Sequence, residues 1–145
     1  MLGQTGAGKT HLGTAIVGNL VYKGYSASYV EWQNEMNIAR DDYYKVKQSK
    51  MDEWKSVDVL YIDDLFKNKD NDTNLIASSE FNIAWDILDH RLKRNMITIL
   101  SSEFTIEEII ALDEGTGGRI NEMAGKYLLP IDKDPSMNYR LKNIR

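Results

Sequence analysis

Gly3-Gln-Thr-Gly-Ala-Gly-Lys-Thr10 fits the spacing G-x-x-x-x-G-K-[ST]. Each fixed residue type has a task in holding a phosphate chain. Gly3 and Gly8, helped by Gly6, let the backbone turn tightly and aim its N–H groups at anionic oxygens. A helix starting directly beneath the loop turns its positive dipole end to the same anion. Lys9 reaches β- and γ-phosphates, and the Thr10 hydroxyl is a Mg²⁺ ligand. Gln4, Thr5 and Ala7 complete the loop, and His11 follows it, so all four belong to the expected nucleotide-binding set. About fifty residues on, VDVLYI (Val57–Ile62) is an apolar run ending at Asp63 and Asp64. Two aspartates after a strand are ordinary turn residues in isolation. Behind a phosphate loop they read as the metal side of the site: Asp63 holds Mg²⁺ through water, and Asp64 orients or deprotonates the attacking water.

Such a site needs strands that end at the loop and helices that start there. Leu12, Ala15, Ile16 and Leu20 recur at helical spacing, with Gly24 as a stop. Ala27 to Trp32 reads as a strand, and Asn34 to Lys50 as helix. Lys67 to Asn74 is a polar loop. Phe81, Ala84, Trp85, Leu88 and Leu92 then mark one face of a long helix, where Trp85 reads as core. Met96 to Leu100 is another buried strand. Thr105 to Leu112 is a short helix with Thr105 as N-cap and Glu108 three residues on. Tyr127 to Ile131 is a last short strand. Strands alternating with helices predict an α/β fold, three layers α/β/α around a parallel sheet, as one domain over 1–145.

With 42% hydrophobic and 28% charged residues, the chain has a globular composition. It contains no cysteine, which excludes disulfides and cysteine-ligated zinc or iron–sulfur clusters and fits a reducing cytoplasm, the expected location. No stretch approaches the roughly 18 apolar residues of a membrane span. His11 and His90 are too few and too far apart for a metal site. A net charge of −4 argues against a generally basic nucleic-acid binder.

Taken together, the motifs make this sequence resemble the AAA+ P-loop ATPases, specifically bacterial and phage helicase loaders of the DnaC/DnaI type. GQTGAGKTHL resembles that family's phosphate loop, and VLYIDDLF its Walker B segment. TILSSEFTIEEI resembles the region around sensor 1, GGRINEM the region that supplies an arginine finger, and NYRLKN the terminal arginine segment. The resemblance implies ATP and Mg²⁺ as ligands and ATP hydrolysis that is weak in isolation. It implies delivery of a replicative DnaB-type helicase onto single-stranded DNA. It also implies a homo-oligomer in which Arg119 of one subunit reaches the γ-phosphate held by Lys9 of the next, with Arg140 touching phosphate. IstB-like transposition helper ATPases share every one of these motifs. A nucleotide-binding interaction module with little turnover is the third alternative.

Two departures bear on the mechanism. Where many relatives read T-S-N, this chain reads Ser101-Ser102-Glu103, and a carboxylate repels phosphate unless a metal or a water intervenes. Ser101 or Ser102 would then substitute as the sensor. Many relatives also carry two arginines in the finger region, whereas here Met123 stands at the second place, leaving Arg119 as either a trans-acting finger or a surface or helix-cap residue. For single-stranded DNA the candidate contact is Tyr43-Tyr44-Lys45-Val46-Lys47-Gln48-Ser49-Lys50, with Trp54 and Lys55 behind it. The alternative is that Tyr43 and Trp54 pack onto the sheet while the lysines form a solvated face beside Asp41 and Asp42. Finally, the sheet order implied by the resemblance, 5-1-4-3-2, puts a strand before the phosphate loop, for which only Met1 and Leu2 remain. The expectation is an ATPase part of a longer protein, lacking most of that first strand and an upstream helicase-binding segment, with two inner edges facing a gap.

Overall fold

The computed structural model describes residues 1–41, 45–68, 70 and 72–140. Its centre is β3 (Val59–Asp63), whose five residues are all buried because the strand is covered on both faces. β3 pairs in parallel with β2 (Ala27–Glu31) on one side, Tyr29 opposite Tyr61, and with β4 (Ile97–Leu100) on the other, Ile62 opposite Leu100. Alternation along β3 sorts the layers. Leu60 and Ile62 enter the main core with Trp32, Trp54, Phe66 and Ile87. Tyr61 turns to the opposite face, where α1 (Lys9–Tyr22) packs so closely that a Cβ on Gly13 would lie 2.4 Å from the Tyr61 ring.

The strand before the glycine loop is β1 (Leu2–Gly3). It pairs in parallel with β5 (Pro130–Ile131) and meets the β4 side through a single bridge from Leu2 to Ser102. The Gly3 N–H donates to the Ser102 carbonyl at 3.0 Å, and the Ser102 N–H to Met1 at 3.1 Å. The strands therefore run β5-β1-β4-β3-β2, in two hydrogen-bonded groups joined at that bridge. Behind Met1 a groove of about 640 Å³ opens between the β4 edge and Leu128–Leu129, with Leu12, Ile16, Ile97 and Ile99 among its walls. The groove leaves Leu12 and Ile16, on the apolar stripe of α1, 44% and 40% exposed.

On the core face lie α2 (Trp32–Asp41), α3 (Lys45–Ser56) and α4 (Ser78–Leu92), followed by α5 (Ile106–Leu112) and α6 (Glu114–Ala124). Trp32 begins α2 instead of ending β2. The expected cap of α5 forms in full: the Glu108 N–H donates to Thr105 Oγ1 at 3.2 Å, and the Thr105 N–H to Glu108 Oε2 at 2.8 Å. The last expected strand shortens to Pro130–Ile131, since Gly125–Tyr127 winds into a 3₁₀ turn. Trp85 departs from its expected place in the core. It is 39% exposed, because Ile83, Ala84, Ile87 and Leu88 supply the buried face of α4. Among the described residues no helix is long and apolar enough to cross a membrane.

One buried cation ties the far ends of the strands together. Arg91 on α4 is fully buried and donates to the carbonyls of Trp54, Val57, Asp58 and Ile97 and to Thr98 Oγ1, at 2.7–3.2 Å. Five acceptors saturate the guanidinium. Burial pulls its pKa down to about 10, and the neighbouring Asp58 pushes the other way.

Candidate nucleotide site

Gly3 ends β1 with φ +117, pressed against the Ile131 carbonyl so tightly that a Cβ would lie 2.0 Å from its oxygen. From there the chain turns through Gly6 (φ +70) and Gly8 (φ +83) into α1. Gly8 caps that helix without a side chain, so none competes for its first-turn N–H groups. A Cβ on Gly8 would meet nothing within 4 Å, so the loop has open space beside it there. Gly6, by contrast, is covered by the Asn138 side chain, and the Tyr139 N–H donates to the Gly6 carbonyl at 3.1 Å. Lys9 is buried and folds back over its own loop, its Nζ donating to the carbonyls of Gly3 (2.8 Å) and Gln4 (2.7 Å). Burial holds its ammonium below the usual lysine range, with Glu103 and Asp64 pulling it back up.

Asp63 sits at the tip of β3 in a ring of hydroxyls. It accepts from Tyr61 (2.6 Å), Tyr29 (2.8 Å), Thr10 (3.2 Å) and, in a short contact, Ser101. Burial alone would raise this carboxyl, but the four hydroxyls hold it below the ordinary carboxylate range. The same burial and the same bonds push both tyrosines up. Ser101 also accepts from the Asp64 N–H at 3.0 Å, so this serine spans both acids. Ser102 is spent on structure, donating to the Leu65 carbonyl at 2.8 Å.

The turn after β3 is strained. Asp64 (φ +55) and Phe66 (φ +63) both occupy the left-handed region, where residues with a Cβ are uncommon. Leu65 and Phe66, both fully buried, pin it into the core. The turn brings Lys67 back over Asp64, its Nζ 2.8 Å from Asp64 Oδ2 and 2.9 Å from Glu103 Oε1. Glu103 Oε1 also accepts from Thr5 Oγ1 at 2.9 Å, which ties the cluster to the glycine loop. Lys67 was not among the residues singled out from the sequence. Its only sign there is its place three residues after Asp64, which brings the two together only through a left-handed turn that nothing in DDLFK announces.

Lys9, Thr10, Asp63 and Asp64 thus converge, together with Ser101, Glu103 and Lys67, outside the C-terminal ends of β1, β3 and β4. In parallel α/β sheets this is where ligands bind. The donor set fits Mg²⁺: Thr10 Oγ1 and Asp63 offer hard oxygens side by side, and this ion takes one or two protein ligands plus phosphate oxygens. Among the described residues no group of three His, Cys, Asp or Glu could hold a metal without such help. His11 is exposed on the first turn of α1. Arg140 follows Tyr139, the residue bonded to Gly6, and its N–H donates to Asn138 Oδ1 at 3.1 Å.

Arg119 stands apart from this cluster. On α6 it pairs with Asp89 of α4 (3.0 Å), donates to the Gly115 carbonyl (3.4 Å) and lies 4.9 Å over the Trp85 ring. Of the candidate DNA segment, Tyr43 and Tyr44 lie outside the described residues, as does Asp42, and of Lys45, Val46 and Lys47 only the backbone is described. Trp54 is buried, Lys50 pairs with Glu35, and Lys55 with Asp86 at 2.7 Å.

No protein-family model matches the chain. It is 36% identical over 146 residues to protein YqaM of Bacillus subtilis (strain 168), covering 97% of this chain and 45% of that one. It is 34% identical over 147 residues to the phage-like element PBSX protein XkdC of the same organism, covering all of this chain and 54% of that one. The chain therefore spans about half the length of these curated relatives. Among solved structures it superposes on DnaI with TM-score 0.68 at 23% identity, covering 94% of this chain and 70% of DnaI. On AMPPCP-bound DnaA from Aquifex aeolicus the TM-score is 0.66 at 19% identity, with coverages of 99% and 42%. A DnaA bound to AMPPCP and single-stranded DNA gives 0.63 at 19% identity, covering 98% of this chain and 49% of that one. The fold is that of these DnaI and DnaA structures, helices packed on both faces of a parallel sheet.

Proposed function

We propose that this chain is the nucleotide-binding part of a replication-related AAA+ ATPase, and that it acts in loading a DnaB-type replicative helicase onto single-stranded DNA. The observation that carries the ATPase reading is the convergence of Lys9, Thr10, Asp63 and Asp64 at the ends of three parallel strands, beside a glycine loop that opens a helix. Lys9 leaves the Gly3 and Gln4 carbonyls for the β- and γ-phosphates. Gln4, Thr5, Gly6, Ala7 and Gly8 offer their N–H groups, with His11 at the exit and Arg140 approaching from the C-terminal segment. Thr10 and Asp63 are the residues that would hold Mg²⁺, which would supply positive charge against the phosphates. Asp64 orients the attacking water and accepts its proton. The DnaI and DnaA likenesses support a role in replication, the motif resemblance to DnaC/DnaI-type loaders supports the helicase, and the DnaA bound to single-stranded DNA supports the DNA. The PBSX relative supports a phage-element origin.

Arg119 acts in trans, leaving Asp89 to reach the nucleotide of a neighbouring subunit. Hydrolysis measured against protein concentration tests this. The rate per subunit should rise with concentration, and Arg119→Ala should remove that rise without weakening nucleotide binding. A rate per subunit independent of concentration contradicts it. A second reading, a nucleotide-binding module with little turnover, draws on one observation. Asp64 and Arg119, the groups hydrolysis would use, are both ion-paired, to Lys67 and Asp89.

A further inference from the structure

Three carboxylates crowd the place assigned to the terminal phosphate. Asp63, Asp64 and Glu103 all lie close enough to Lys9 to raise its affinity for a proton, and Glu103 touches the glycine loop itself through Thr5. An incoming triphosphate would meet this negative charge at short range, where the site's partial burial leaves little water to screen it. The hydroxyl ring around Asp63 adds no positive charge, and Lys9 together with a Mg²⁺ at Thr10 and Asp63 still falls short of three acids and a polyphosphate.

A further positive charge in the cluster is Lys67. Its ammonium lies 2.8 Å from Asp64 and 2.9 Å from Glu103, and its side chain keeps 26% of its surface exposed, so it is both fixed and accessible. The turn that delivers it is strained at Asp64 and Phe66 and anchored by two fully buried side chains. Lys67 is thus held in place both by the backbone of the turn and by two acids. Its position beside Asp64 sets it next to the group proposed above to orient the attacking water.

We infer that Lys67 is a second phosphate-binding lysine, which contacts the terminal phosphate and lets the site tell triphosphate from diphosphate. It rests on the Mg-ATP reading above. With triphosphate the ammonium shares itself between the γ-oxygens and the two carboxylates. With diphosphate it stays on Asp64 and Glu103 as seen here. Glu103 is then the holder of Lys67, and its charge is screened by that lysine instead of by a metal or a water.

The test is the affinity of the full chain for N-methylanthraniloyl-ATP and -ADP in Mg²⁺, for the unaltered protein, Lys67→Met, Lys67→Arg and Glu103→Gln, with thermal melting to confirm folding. One charged hydrogen bond to phosphate corresponds to roughly tenfold in affinity. Lys67→Met should weaken ATP about tenfold and ADP by less than about twofold, and Lys67→Arg should restore most of the ATP affinity. Glu103→Gln, which loosens the hold on the ammonium, should raise the preference for ATP over ADP. This variant decides the matter should Lys67→Met not fold. Equal weakening of both nucleotides, or an unchanged ATP-to-ADP ratio in these variants, overturns the role of Lys67 while leaving the nucleotide site standing. An unaltered protein that binds neither nucleotide overturns both.

Discussion

At the scale of single residues, the site is organised around one carboxylate with four hydroxyl donors. Tyr29, Tyr61, Thr10 and Ser101 come from β2, β3, α1 and the end of β4, so Asp63 gathers four parts of the chain at one point. Because they hold its pKa below 3.8, the sign of the linkage follows. The stability that Asp63 contributes is fully present above pH 3.8 and is lost as pH falls through its lower folded value. Asp63→Asn lacks this dependence. Urea unfolding of the two proteins between pH 7 and about pH 3 should show the unaltered chain losing its advantage below about pH 4, with the gap between the curves narrowing. Parallel curves would mean that the hydroxyl ring does not stabilise the charge.

At the scale of elements, local signals were legible and long-range ones were not. The glycine loop and the cap of α5 are written in contiguous residues, so spacing alone exposes them. Thr105→Ala should cost about 1 kcal/mol, read as a shift in denaturation midpoint at constant slope, since it removes one half of a reciprocal cap. The helix α6 gave no such signal, because Gly115, Gly117 and Gly118 lower its intrinsic propensity. It forms because the Asp113 side chain accepts from the Thr116 N–H at 2.6 Å and because Gly117 lets α5 approach: a Cβ there would lie 2.6 Å from Ile110. Trp85 fits the apolar stripe of α4 by spacing, yet its neighbour across the interface is the Arg119 guanidinium, which only the packing of α6 reveals. Lys67 was hidden for the same kind of reason. Its role depends on backbone angles at Asp64 and Phe66 that buried contacts impose and that residue type does not report.

At the scale of the whole molecule, the sheet divides into a well-paired group, β2-β3-β4, and a thin one, β1-β5, held to it by one bridge. The candidate nucleotide loop hangs from the thin group, while Asp63 and Asp64 belong to the well-paired one. A nucleotide held by both would fasten the two halves, which links binding to stability. The central claim, that the Gly3–Thr10 loop and the β3 acids together hold a Mg-nucleoside triphosphate, is tested most directly by calorimetric titration of ATP with and without Mg²⁺ into the unaltered chain, Lys9→Ala and Asp63→Ala. The account predicts saturable, Mg-dependent binding at one site per chain, abolished in Lys9→Ala and no longer strengthened by Mg²⁺ in Asp63→Ala. Binding of equal strength in the unaltered chain and Lys9→Ala, or none in the unaltered chain, would contradict it.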